Sequence, residues 1–127
     1  MMLLMSGFFI NIEKETKENS FFRKVLFTAN KSQLVVMALK PSEEIGFEIH
    51  PENDQFFRFE EGSGKVIVGT DEFIVGPTDV VIVPSGENHN VINTSTLKYL
   101  KLYTIYSPAH HPDGTIHKTK EEALQAE

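Results

Sequence analysis

The stretch PSGENHNVIN, residues 84–93, decides the fold. Its opening PSG is a turn signal, because proline fixes φ and glycine tolerates positive φ. The residues that follow the turn, from His89 to Asn93, are typical of a short strand. Side chains on a strand alternate between its two faces, so His89 and Asn93 lie on the same face. The stretch therefore predicts a tight turn followed by a strand that opens with a histidine.

Outward from this stretch, the chain repeats the same pattern of short apolar runs separated by turn residues. Clusters of Gly, Pro, Asn, Asp and Ser stand between the runs, which are rich in Val, Ile and Phe. Short strands at regular spacing with such turns indicate an all-β sandwich or barrel. The predicted strands are Leu34–Leu39, Ile45–His50, Gln55–Glu60, Lys65–Val68, Glu72–Val75, Asp79–Val83, His89–Asn93 and Leu97–Tyr106.

The two ends of the chain carry different signals. Thr119, with Glu122 three positions later, resembles a capping box and predicts a short helix that runs through Ala126. The charged segment 13–20 is interpreted as a loop or linker. The apolar segment 1–10 is interpreted as an early strand or a ragged start, because a membrane span needs roughly 20 apolar residues and no signal-peptide pattern is present.

Composition narrows the classes of function. The 127 residues suit one domain, 1–127, with a core barrel at about 25–106 and a tail at 107–127. Cysteine is absent, so disulfides and zinc fingers are excluded, and any metal must be held by His, Asp, Glu, Asn or Gln. The net charge of −6 argues against nucleic acid and anionic membranes as partners. A cytoplasmic location is expected.

Chemistry-bearing residues gather in GFEIHPENDQFF, residues 46–57. Glu48 and His50 are two apart and share a strand face. If the turn at 51–54 closes a hairpin, Gln55 points to the same side, and a curled sheet would add His89. Two imidazoles and one carboxylate suit Fe(II), and Gln55 as a fourth ligand would also suit Mn(II) or Zn(II). The other interpretation, the polar face of an ordinary hairpin, remains open at this point.

The stretch at 84–93 resembles the second motif of the cupin superfamily, whose members are small β-barrels of the double-stranded β-helix, jelly-roll type. That motif runs Gly, five residues, Pro-x-Gly, two residues, His, three residues, Asn. The PSG turn, His89 and Asn93 match it position for position. Thr78 stands where the motif begins with Gly.

The segment from Ser42 to Gly62 resembles the first cupin motif. There, Gly is followed by five residues, His-x-His, three or four residues, Glu, six residues and Gly. Glu48 and His50 fall on the His-x-His pair, and Gln55 falls on the Glu. The resemblance implies a divalent metal ion (Fe, Mn or Zn) held by Glu48, His50, Gln55 and His89, and the exchanged residues retain two histidines and one carboxylate. Ser42 again replaces the initial Gly.

The resemblance implies a metalloenzyme that acts on a small polar substrate, such as a sugar, a phosphosugar or an oxo or hydroxy acid. The metal would act as a Lewis acid. The segment LKLYTIYSPAHHPDGTIHKTKEEA, residues 100–123, is similar to small cupins described as mannose-6-phosphate isomerase-like. Two alternatives remain: a non-catalytic small-molecule-binding module and an Fe(II)-dependent dioxygenase. No catalytic base can be named from the sequence.

Two further expectations concern the surface. The tail SPAHHPDGTIHKTKEEA holds His110, His111 and His117, and we interpret it as an ordered surface tail whose histidines make local hydrogen bonds. The alternative is that one of them reaches a substrate at the barrel mouth. The apolar row Ile45, Phe47 and Ile49 is predicted to face outward, and its need for cover favours a homodimer.

Overall fold

A computed structural model describes residues 6–126, which form two antiparallel β-sheets and two short helices. Residues 6–10 form no strand, and the remainder of the predicted N-terminal strand lies outside the described residues. The elements, in chain order, are α1 (Ile12–Glu18), β1 (Arg23–Thr28), β2 (Gln33–Leu39), β3 (Asp54–Glu61), β4 (Gly64–Val68), β5 (Asp71–Val75), β6 (Val80–Val83), β7 (His89–Asn93), β8 (Leu100–Ser107), β9 (Ile116–His117) and α2 (Lys120–Gln125).

The larger sheet has the strand order β6-β3-β8-β2-β1-β9, and the smaller sheet has the order β5-β4-β7. Alternate side chains of both sheets point into one apolar core, as period-2 strands require. The expected double-stranded β-helix barrel with a short C-terminal helix is confirmed. Core side chains with almost no exposed surface are Val35, Met37, Leu39, Phe57, Phe59, Val66, Val91, Leu100 and Leu102.

The predicted strand Ile45–His50 and its hairpin are wrong. The segment itself forms one isolated bridge, Glu48 with His89, and the residue before it forms another, Glu44 with Ile92. Both partner residues, His89 and Ile92, belong to β7. No hairpin can form with β3, because β6 and β8 already occupy both of its hydrogen-bonding edges.

The apolar row predicted to face outward is divided. Ile45 packs against the core, whereas Phe47 and Ile49 are each 57% exposed. Gly46, between them, adopts φ 105°, a conformation that side chains disfavour and that interrupts regular strand alternation.

The predicted loop at 13–20 is also wrong, because residues 12–18 form helix α1. The Asn11 side chain accepts a hydrogen bond from the N–H of Lys14, which caps the helix. Glu13 and Glu15 lie in the first turn, where the helix dipole favours negative charge. The many charges conceal this helix in the sequence, since Thr16 is its one fully buried residue.

The C-terminal helix is confirmed as α2. Thr119 is its N-cap and accepts a hydrogen bond from the N–H of Glu122 at 3.2 Å. The prediction for Leu97–Tyr106 begins too early, because the Ser95 hydroxyl accepts from the N–H groups of Leu97 and Lys98 and holds a turn there. Neither described helix is long and apolar enough to cross a membrane.

Candidate functional site

The four predicted ligands lie in three parts of the fold. Glu48 and His50 belong to the segment that bridges to β7, Gln55 lies in β3, and His89 begins β7. His50, Gln55 and His89 are buried, and Glu48 is partly exposed. Three of the four predicted ligands are thus buried polar side chains of the barrel.

His50 is the centre of this group. Its Nε2 lies 3.6 Å from Oε2 of Glu48, beyond hydrogen-bond length. Its ring centroid lies 5.2 Å from that of His89 and 5.7 Å from that of Tyr106. Tyr106 is paired with Gln55 across strands β8 and β3. Gln55 thus adjoins the group on the side of Tyr106.

Two buried polar atoms of the group have no hydrogen-bond partner: Nε2 of His50 and Oε1 of Gln55. The other end of Gln55 is fixed, because its Nε2 donates to Oγ1 of Thr104 at 3.0 Å. Buried polar atoms are rarely left unpaired, since the desolvation cost is not repaid. Two orphaned buried atoms point to a ligand, and one of them belongs to His50, which lines a cavity.

Burial favours the neutral form of both imidazoles, His50 and His89. Burial, followed by the nearby His110, His89 and Arg23, lowers the pKa of His50 to about 4. Burial also lowers the pKa of His89, although a hydrogen bond to the Glu87 carbonyl partly opposes the shift.

The Glu87 carbonyl also selects the tautomer of His89. Nδ1 of His89 lies 2.9 Å from this oxygen, which can only accept, so Nδ1 carries the proton. Nε2 is left with its lone pair.

The donor types fit a divalent cation: neutral imidazole, carboxylate and amide oxygen are all ligands for such ions. The arrangement fits less well. Among residues 6–126, no three His, Asp or Glu side chains lie where they could hold a metal ion together. The four-ligand metal site therefore remains a prediction.

A cavity of about 530 Å³ opens at the barrel mouth beside His50. Gln55 and His89 are not among the residues that line it. A second cavity of about 220 Å³ shares four of its lining residues and extends beneath the C-terminal tail. The four shared residues are Arg23, Glu48, His110 and Ala123.

The C-terminal tail crosses this mouth. Gln33 fastens it, because its Oε1 accepts from the N–H groups of His110 and His111 and its Nε2 donates to the His111 carbonyl. The ring of His110 lies 4.2 Å from that of His50 and stacks on Tyr106. The expected local hydrogen bonds are present only in part: Nε2 of His111 lies 3.3 Å from Oη of Tyr106, whereas the contacts with Gln33 join residues far apart in the chain. The tail also brings one histidine, His110, to the candidate site.

Arg23 is the site residue that the sequence analysis missed. It is only 6% exposed, and it lines both cavities. It shares an inward face with Val25 in β1, a strand that was not predicted. An arginine on the apolar face of SFFRKVLF is the signal that could have revealed it.

Comparison with known proteins places these features in a family. Residues 35–106 match the model of the Cupin domain, which is more than half of the chain. The uncharacterized protein YrkC of Bacillus subtilis is 44% identical over 126 residues, covering 94% of this chain and 67% of that protein.

Two solved structures share the fold. The crystal structure of BH2720 from Bacillus halodurans is 44% identical, covers 93% of both chains and has a TM-score of 0.90. A Thermotoga maritima protein described as a predicted oxalate decarboxylase is 22% identical and has a TM-score of 0.59, covering 63% of this chain and 70% of that one. With the family motif, the relatives and the barrel in agreement, this chain belongs to the cupin domain family.

Proposed function

We propose that this protein is a metal-dependent cupin that binds a small polar substrate at the barrel mouth. The supporting observation is the pair of orphaned buried atoms, Nε2 of His50 and Oε1 of Gln55. When Nε2 is the unprotonated nitrogen of the neutral His50 ring, both atoms are electron-pair donors of the kind that a divalent cation binds. Glu48 and His89 complete the proposed ligand set.

Residues around the proposed ligands hold them in a binding-competent state. The Glu87 carbonyl keeps Nε2 of His89 unprotonated. The Thr104 hydroxyl accepts a hydrogen bond from Nε2 of Gln55, so the amide oxygen of Gln55 points away from Thr104. Such outer contacts orient metal ligands and tune their basicity. Burial keeps His50 uncharged, so binding of a cation does not first require loss of a proton at neutral pH.

A bound divalent metal would supply Lewis-acid polarisation of a carbonyl or hydroxyl oxygen on the substrate. The chain's own contribution is to hold the substrate in the cavity, with His50 as one wall and His110 above it. A sugar, phosphosugar or oxo or hydroxy acid suits these polar groups, and isomerisation is the reaction class that we favour. With iron, dioxygenase chemistry is the alternative reaction.

One observation favours a second function, a binding module without metal. No three His, Asp or Glu side chains within residues 6–126 are arranged around a common metal position. The orphaned Nε2 of His50, a residue that lines the larger cavity, would then bind a polar group of the ligand directly.

Metal analysis separates the two functions. Protein purified without added metal, and again after loading with Fe(II), Mn(II) or Zn(II), is compared with Glu48→Ala, His89→Ala and the exposed control Glu52→Ala. Near-stoichiometric metal in wild type and Glu52→Ala, lost in the other two variants, supports the metal-dependent function. Wild-type protein that takes up none of the three metals contradicts it and supports the binding module.

A further inference from the structure

Arg23 is a buried cation that the proposed metal chemistry does not use. Its Nη1 lies 3.2 Å from Nδ1 of His117, and its guanidinium lies 5.2 Å from the Phe22 ring centroid. These contacts hold the group in place, but Nε has no hydrogen-bond partner. Burying an ionised group is costly unless its charge and its donors are satisfied. The orphaned donor therefore calls for an acceptor.

Both cavities at the barrel mouth are lined by Arg23, so an acceptor within either of them can reach this side chain. Guanidinium presents planar, paired donors that match the oxygens of a carboxylate or phosphate. A cavity of about 530 Å³ is of the size that small metabolites occupy.

The charge around the larger cavity supports the same conclusion. Its lining includes two cations, Arg23 and Lys120, and one carboxylate, Glu48. The whole chain carries a net charge of −6, so this cavity differs in sign from the protein that surrounds it. A locally cationic cavity in an acidic protein concentrates small anions.

We infer that the barrel mouth binds a small anionic ligand, a carboxylate- or phosphate-bearing metabolite, whose anionic group is held by Arg23. This inference rests on the proposed function in placing the ligand at the barrel mouth, but it does not require the metal. It narrows the substrate from any polar molecule to an anion.

Isothermal titration calorimetry at constant ionic strength tests the inference, with inorganic phosphate, succinate and uncharged glycerol as probes. Wild type is compared with Arg23→Met and with the matched control Lys24→Met, which removes the same charge from the other face of the same strand. Arg23→Lys guards against a folding artefact, and circular dichroism verifies each variant. All titrations are run on chelator-treated and on metal-loaded protein.

We expect at least one of the two anions to bind and glycerol not to bind, with affinity reduced about tenfold or more in Arg23→Met, unchanged in Lys24→Met and intermediate in Arg23→Lys. The tighter of the two anions identifies the anionic group. Equal affinity in Arg23→Met and Lys24→Met overturns the inference, as does the absence of binding by both anions.

The two proposals fail separately. Chelator-treated protein that binds an anion through Arg23 but takes up no metal contradicts the metal-dependent function and leaves this inference standing. Protein that takes up metal but whose anion affinity does not depend on Arg23 overturns this inference and leaves the metal-dependent function standing.

Discussion

Glu48 and His89 form a reciprocal backbone pair, in which the N–H of each donates to the carbonyl oxygen of the other at 2.9 and 3.0 Å. In an antiparallel pair of this type the two side chains lie on the same face. The pair therefore joins the two motifs of the sequence at one point, and it places the carboxylate and the imidazole of the candidate site side by side.

Replacing Ser42 or Thr78 by glycine, the residue that the cupin motifs have at these two positions, should make the protein more stable. Ser42 and Thr78 adopt φ of 64° and 73°, a region that costs residues with a Cβ roughly 1 kcal/mol or more. We expect Ser42→Gly and Thr78→Gly each to raise the free energy of unfolding by about 0.5–1 kcal/mol, with the larger gain at the β-branched Thr78. Urea denaturation measures the change.

Ser85→Gly is the control for this prediction, because Ser85 lies in a turn but has no positive φ. Glycine there should leave stability unchanged or lower it slightly, since it adds freedom to the unfolded chain. A similar change in all three variants would contradict the assignment of strain to Ser42 and Thr78.

Asn93 should be a stability residue rather than a ligand. Its buried Nδ2 lies within hydrogen-bond distance of the carbonyl oxygens of Leu39, Lys40 and Lys98, and its Oδ1 accepts from the N–H of Ser95. Asn93→Ala should lower the free energy of unfolding by about 2–3 kcal/mol, because buried partners are left unsatisfied.

Asn93→Asp separates hydrogen bonding from size. The shape is kept, but a carboxylate would face three carbonyl oxygens, so at neutral pH the loss should equal or exceed that of Asn93→Ala. Thermal and urea unfolding both measure it. A loss below about 0.5 kcal/mol for either variant would show that the network contributes little.

Stability should fall in mild acid, and His111 should be one of the residues that cause the fall. Burial, and then the charges of Arg23, His110, His117 and His50, lower the pKa of His111 to about 3. The unfolded chain takes up a proton near the ordinary pKa of 6.5 and the folded chain does not. The stabilisation is therefore complete above this ordinary pKa and is lost as the pH falls towards 3.

In His111→Asn, the decrease in the free energy of unfolding between about pH 6.5 and about pH 5 should be smaller by on the order of 1 kcal/mol. Asp113→Asn, at an exposed neighbour, should retain the wild-type pH dependence. Urea titrations across this pH range provide the measurement. An unchanged slope in His111→Asn would mean that other groups control the acid response.

The tail should be held less firmly when Gln33 is replaced by an apolar residue. Gln33→Leu removes the acceptor for the N–H groups of His110 and His111. Hydrogen exchange at these two amides should become about tenfold faster or more, which corresponds to about 1.4 kcal/mol of lost protection. Gln125→Leu, at an exposed position of helix α2, is the control and should leave both amides protected.

Much of the secondary structure was predicted from local sequence patterns. The strand His89–Asn93 has the predicted bounds, and the capping residue Thr119 begins the predicted helix. Turn residues, strand alternation and capping boxes involve residues that are close together in the chain, so they can be recognised from the sequence alone. Helix α1 was not predicted, because only one of its seven residues is buried and the sequence therefore shows no apolar period there.

The pairing of strands could not be predicted from local sequence patterns. A hairpin between segment 45–50 and β3 looked natural from their closeness in the chain, but β3 is already paired on both edges by β6 and β8. Period-2 alternation predicts which face of a strand a residue occupies. It does not predict which distant strand pairs with that strand.

The sequence by itself therefore determined the β-rich class, the two motifs and the polar residues placed on inward faces. The tertiary structure alone decided that Glu48 pairs with His89, that Arg23 lines the cavity and that the tail carrying His110 closes over His50. These relationships depend on long-range strand pairing and on the burial of an isolated charge. Both arise from packing among segments far apart in the chain, which no local pattern encodes.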